Sequence, residues 1–185
     1  MDKLNYGVIG NCCTAALISD KGSIDWLCFP NFDSPSIFAS LLDREKGGYF
    51  GFEVSPDYQI SQSYVPHTNI LSTNFVSEEN EFAVVDFMPC YHLSDASNCY
   101  RPAEIYRYIR RIKGTPRFKI NYEPAPDYAR GKTIFNTTSE YIETLLLTAK
   151  IGNIFIPHYL CTTSWNRKKS YWLRTSSCYF HITRK

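Results

Sequence analysis

From Gly48 to Ala149 the chain repeats one pattern: short runs mixing apolar and polar residues, each closed by turn-forming residues at intervals of about 10 to 15 positions. The runs are GYFGFEV, YQISQSYV, NILSTNFVS, FAVVDFMP, EIYRYIRRIKG, RFKINYEPAP and YIETLLLTA. Breaks fall at Ser55-Pro56-Asp57, Glu79-Asn80, Lys113-Gly114 and Glu123-Pro124. A period of two sends alternate side chains to opposite faces, so each run can bury one face and wet the other. Several such strands in close succession predict a mainly β fold, an antiparallel β-sandwich. An aromatic content of 16% agrees, because flat rings pack well on a pleated surface.

The N-terminal part extends the pattern. Two apolar runs, Ala15 to Ile18 and Ile24 to Phe29, flank Ser19-Asp20-Lys21-Gly22, which predicts a hairpin. In SPSIFASLLD, Ser34 stands where an N-cap would, Pro35 at a first helical position, and Ile37, Phe38, Leu41 and Leu42 at helical spacing. One short helix is therefore expected near 35–43, ended by Gly47-Gly48.

At 185 residues, one well-buried core is expected. Residues 1–150 carry 14 Lys and Arg against all 18 Asp and Glu, a net −4, whereas residues 151–185 carry 6 Lys and Arg and no acid. Composition thus divides the chain into a domain over 1–150 and an atypical basic, aromatic tail over 151–185. Seven cysteines form an odd set without a CxxC pair or zinc-like spacing, so free thiols in a reducing compartment are expected. No apolar run approaches the roughly 18 residues of a membrane span, and the start lacks a signal-peptide pattern. A cytoplasmic chain without membrane attachment is the expectation.

Few residues propose chemistry on their own. Asp25 and Asp33 flank WLCFPNF and could in principle be the acid and base of a glycosidase, which needs two carboxyl groups facing one bond. A structural role fits them better: Asp25 beside Trp26 in a strand, and Asp33 in NFDSP as a turn residue. The cluster RYIRRIKGTPRFK mixes Arg107, Arg110, Arg111, Lys113, Arg117 and Lys119 with Tyr106, Tyr108 and Phe118. Cations among rings suit a single-stranded nucleic acid. In a net acidic domain, the exposed face of a hairpin is the favoured reading, and no nucleic-acid partner is expected. His67, His92, His158 and His181 share no periodicity, no G-x-S-x-G elbow occurs, and no Gly-rich phosphate loop precedes a helix. No metal and no cofactor are expected.

Taken together, YGVIGNCCTAALISDKGSIDWLCFPNFDSPSIFASLLD, YVPHTNILSTNF, VVDFMP, IRRIKG and YEPAPDYAR resemble, in order and spacing, the N-terminal domain of bacterial and archaeal glucoamylase-like and trehalase-like enzymes of glycoside hydrolase family 15. The likeness covers residues 6 to about 148. It implies a β-sandwich of the N-terminal super-sandwich type, followed in that family by an α/α toroid that holds the paired catalytic glutamates. No position of this chain matches those glutamates, so no catalytic residue is assigned. The tail departs from the family pattern, and two readings stand: a frameshift near residue 150, or a native basic tail for an anionic partner. A sandwich incomplete at its C-terminal end, with unpaired strand edges, is the structural expectation.

The resemblance implies a non-catalytic domain, or truncated remnant, of an enzyme acting on α-glucosides, with the toroid as its partner. Trp26, Phe29, Phe32 and Asp33 are the candidates for a domain interface or substrate contact, the rings for apolar area and Asp33 for a hydroxyl. A stand-alone carbohydrate-binding module is the alternative, and a single-stranded nucleic-acid binder a more distant one.

Overall fold

The computed structural model describes residues 4–92, 99–137, 141–146, 149–155, 170–174 and 177–183. These residues form strands and no helix. One sheet has the order β1 (Tyr6–Gly10), β2 (Ala15–Ser19), β3 (Ile24–Cys28), β5 (Gly48–Glu53), β12 (Arg117–Pro124) and β16 (Ser170–Arg174), with β4 (Ser36–Phe38) pairing on β3. The other runs β13 (Thr133–Thr137), β14 (Tyr141–Leu146), β15 (Ala149–Phe155), β17 (Ser177–Thr183), β11 (Glu104–Lys113), β8 (Glu81–Phe87), β7 (Leu71–Val76) and β6 (Gln59–Tyr64). A small ladder pairs β9 (Tyr91–His92) with β10 (Cys99–Tyr100). The strand pairs are antiparallel, as period-two patterning with short connections requires.

Burial follows the alternation. In β12 every second residue, Phe118, Ile120, Tyr122 and Pro124, is buried, and in β11 Ile105, Arg107 and Ile109 are. These inner faces meet in one core that joins Ile9, Ile18, Ile24, Leu27, Phe50 and Phe118 from the first sheet to Leu71, Phe75, Phe82, Val84 and Ile105 from the second. Phe75 and Phe82 are cross-strand partners with rings stacked at 4.5 Å, and Phe118 stacks on Phe82 at 4.6 Å from the opposite sheet. Each buried ring contributes about 1.5–3 kcal/mol by leaving water, so this stack is a large part of what holds the layers together.

Among the described residues one ion pair lies inside this core. Arg107 and Asp86 are register partners on β11 and β8, both 0% exposed, with Arg107 Nε donating to Asp86 Oδ1 at 2.7 Å and Nη2 to Oδ2 at 3.1 Å. The same guanidinium crosses to the other sheet, where Nη1 donates to the Phe50 carbonyl at 2.6 Å and Nη2 to the Gly22 carbonyl, and it stacks over the Phe50 and Phe52 rings. Gly22 has φ +77°, so the β2–β3 turn that presents this carbonyl needs glycine. A second link between the sheets is the buried bond of Tyr122 Oη with Thr144 Oγ1 at 3.0 Å.

Three expectations are corrected. The helix near 35–43 is absent: Ser36–Phe38 is an inward-packed strand, the Ser36 and Ile37 carbonyls accept from Asp127 N and Ala125 N, and residues 40–47 are successive turns closed by Leu42 N to Ala39 O and Gly47 N to Asp43 O. Ile37 and Phe38 are buried while Leu42 is 70% exposed, so the apparent helical stripe does not face one way. The basic cluster is not a hairpin face either, since β11 and β12 belong to different sheets and the Lys113–Arg117 link crosses between layers. Where a sandwich open at its C-terminal end was expected, the described backbone of the tail supplies strands to both sheets: β17 pairs with β11 from Glu104 to Arg110, and β16 with β12. Among the described residues no helix is long and apolar enough to cross a membrane.

Candidate functional site

A polar recess grows out of an irregularity in β3. Leu17 pairs with Trp26 and Ile18 with Ile24, which leaves Asp25 as the extra residue of a β-bulge. Ile24 and Leu27 stay in the core while Asp25 and Trp26 are half-buried on the other side. Asp25 then opens into a groove of about 720 Å³ whose walls include Tyr6, Ser23, Ser40, Arg44, Tyr49 and Phe52, with Asp20 and Lys21 from the β2–β3 turn.

Both carboxylate oxygens of Asp25 are engaged. Ser23 Oγ donates to Oδ1 at 2.6 Å and Tyr6 Oη to Oδ2 at 3.0 Å, while Leu41 N donates to the Asp25 carbonyl at 3.1 Å. Burial, followed by the neighbouring Asp25 charge, pushes the Tyr6 phenol up to about 12. Tyr49 is raised by burial and then by Glu123. The groove is therefore a set of hydroxyls ordered around one carboxylate, next to aromatic walls. It suits hydrogen bonding to a polyhydroxylated surface better than proton transfer.

Asp25 and Asp33 are not brought together in this groove. Asp33 is exposed on the 29–34 loop and does not line the recess. That loop is fixed by its backbone: Phe32 N donates to Cys13 O at 2.9 Å, Ser34 N to Asn31 O at 3.1 Å and Asn31 N to Ser34 Oγ at 3.1 Å. Its rings diverge. Phe29 is 1% exposed in the core, beneath the loop, whereas Phe32 is 63% exposed and Trp26 half-buried. Phe32 and Asp33 thus offer surface on a held loop, and Phe29 anchors it.

Several residues of consequence were not singled out by sequence. Tyr6, Arg44 and Tyr49 join Asp25 only through folding, from positions that carry no shared motif. Arg107 did carry a signal: it stands in phase with Ile105 and Ile109, and Asp86 in phase with Phe82 and Val84, so both charges occupy inward positions of their strands. Of the remaining basic cluster, Arg110, Arg111, Lys113 and Arg117 are exposed, and Lys119 pairs with Glu53 at 2.7 Å. Among the described residues no group of three or more His, Cys, Asp or Glu is placed to hold a metal ion.

Residues 4–149 match the family described as trehalase-like, N-terminal. The chain is 36% identical over 136 residues to a trehalase of Thermoplasma volcanium, covering 71% of this chain and 21% of that protein. It is 50% identical over 84 residues to trehalase 1 of Sulfolobus acidocaldarius, covering 45% and 14%. With the trehalase of Mycolicibacterium smegmatis it shares 32% over 137 residues, covering 68% and 20%. No solved structure matches the chain significantly. The chain spans about a fifth of the length of the curated relatives first matched. With a family match over most of its length and a mainly β sandwich beneath it, this chain belongs to the trehalase-like N-terminal domain family.

Proposed function

We propose that this chain works as the non-catalytic sandwich domain of a family 15 glycoside hydrolase acting on an α-glucoside of the trehalose or maltooligosaccharide kind, docked on a toroidal catalytic domain. The observation that carries the reading is the family match over residues 4–149 together with relatives called trehalases in which the matched region is about a fifth of the protein. Hydrolysis then rests with parts of such enzymes outside that region. The docking contact is Phe32 with Asp33 and the half-buried Trp26, because an exposed ring on a backbone-fixed loop loses little entropy on association. Domain and tail divide near residue 150 in this reading, where acidic residues end and the family match stops. The free described cysteines are in keeping with a reducing, cytoplasmic setting.

A chimera tests the reading. Residues 4–149 placed at the N-terminus of the Thermoplasma trehalase, in exchange for its matched region, should support trehalose hydrolysis, and Phe32→Asp should weaken it. An inactive but folded chimera would overturn the assignment. The 185-residue chain alone should show no turnover of trehalose or maltose, and hydrolysis lost on Asp25→Asn would refute the non-catalytic role.

The Asp25 groove favours a second reading, direct sugar binding, since its carboxylate already accepts two hydroxyl bonds beside aromatic walls. Isothermal titration with trehalose and maltose separates the two: saturable heat abolished by Asp25→Ala supports it, and flat heat leaves docking as the function.

A further inference from the structure

Among the described residues β1 ends one sheet and β6 ends the other, and the two edges meet on one side of the sandwich. An edge strand presents a row of backbone donors and acceptors to whatever lies beside it. In β1 the amide and carbonyl of Val8 point away from β2, and one side chain takes both: Val8 N donates to Tyr64 Oη at 2.7 Å, and the same phenol donates to Val8 O at 2.9 Å. Two further side chains extend the seam, Asn69 Nδ2 donating to Gly10 O at 2.6 Å and Gln62 Nε2 to Ser19 O at 3.0 Å. Gly7 permits this close approach, because a Cβ there would lie 2.5 Å from Leu71 Cδ2. Tyr64 therefore does for Val8 what a residue of a neighbouring antiparallel strand would do.

We propose that the outer edge of β1 is a strand-pairing surface for a second copy of this chain, held shut by the Tyr64 phenol. Edges are commonly guarded by charged residues or proline, yet residues 4–19 contain no Lys, Arg, Asp, Glu or Pro. The phenol stands in that guard's place. A two-fold axis through Val8 makes the pairing self-complementary: each Val8 amide meets the other copy's Val8 carbonyl, and Tyr6 comes opposite Gly10. The groups exchanged are the two that Tyr64 occupies, so the latch and the dimer exclude each other. Directly opposed residues share a face of the sheet, which sets the two Val8 side chains, each 44% exposed, against one another. Leu4 just before β1 is 77% exposed and Val65 beside Tyr64 is 40% exposed, so the pairing also has apolar surface to cover and no like charges to oppose it. The 29–34 loop takes no part in this edge, and the proposal stands without the docking reading.

The test is sedimentation of the full chain over a concentration series, with circular dichroism to establish that each variant is folded. Tyr64→Ser, which removes the whole guard, should dimerise with a Kd at least about tenfold below that of the wild type. Tyr64→Phe loses the hydroxyl alone and should shift in the same direction; it decides the matter if Tyr64→Ser does not fold. Adding Val8→Pro to either variant deletes the amide that must pair, on the side of β1 that faces away from β2, and should return self-association to the wild-type level. Hydrogen exchange locates the contact: in Tyr64→Phe the 4–10 peptide should exchange faster than in the wild type when dilute and regain protection when concentrated. Wild-type self-association in folded Tyr64→Phe would overturn the proposal, as would association that Val8→Pro leaves intact or that brings no protection to the 4–10 peptide.

Discussion

Asp86 and Asp25 lie in the same sandwich and meet opposite fates. Asp86 is wholly buried between the sheets, where burial pushes its carboxyl up and the Arg107 guanidinium opposes that shift. Asp25 sits at a bulge, half-exposed, held by two neutral hydroxyls and facing a groove. The interior pair costs desolvation; two bonds to Asp86 satisfy the guanidinium within its own sheet, and two to the Gly22 and Phe50 carbonyls join it to the other sheet. The outer carboxylate keeps part of its hydration and holds a surface in shape. Interior charge in this domain serves architecture, and the half-buried Asp25 faces the groove.

The interior pair offers the severest test of this contrast. Arg107→Met leaves Asp86 buried without its partner and should cost about 3–5 kcal/mol of stability, seen as a lower urea midpoint. A loss under about 1 kcal/mol would mean that the guanidinium is not the link between layers. Tyr122→Phe removes another inter-sheet bond and leaves the Thr144 hydroxyl buried; about 1–2 kcal/mol should be lost in the same assay.

On the outer side the effects shrink. Asp25→Asn should cost about 0.5–1.5 kcal/mol and should lower the Tyr6 ionisation from about 12, followed by phenolate absorbance. It should not restore the ordinary value of 10.0, because burial is the larger cause of the shift. In the wild type, a phenol harder to ionise when folded favours the folded state below its unfolded pKa, and that contribution is lost as pH rises from about 10 towards 12. An unchanged Tyr6 titration in Asp25→Asn would dissolve the Tyr6–Asp25 coupling. The smallest effect belongs to Glu53→Gln, where the exposed bond to Lys119 should be worth less than about 1 kcal/mol and should fade in high salt.

Sequence alone determined the strand alternation, its turns and hence the antiparallel sandwich, because period two and turn chemistry are local properties. It also carried the signature that ties GSIDWLCFPNFDSP to one family. Local pattern misled where contacts beyond the segment decide: Pro35 to Asp43 has helical spacing, yet pairing of Ser36–Phe38 with β3 and with the 125–127 backbone outweighs that weak preference. Arg107 stands in phase with inward residues, yet it was expected with the exposed cations, and its partners Gly22 and Phe50 are 85 and 57 residues away in sequence. The Asp25 groove is likewise a product of tertiary structure. Which strands share a sheet, and which side chains therefore meet, depends on non-local packing that no residue's neighbours in sequence encode.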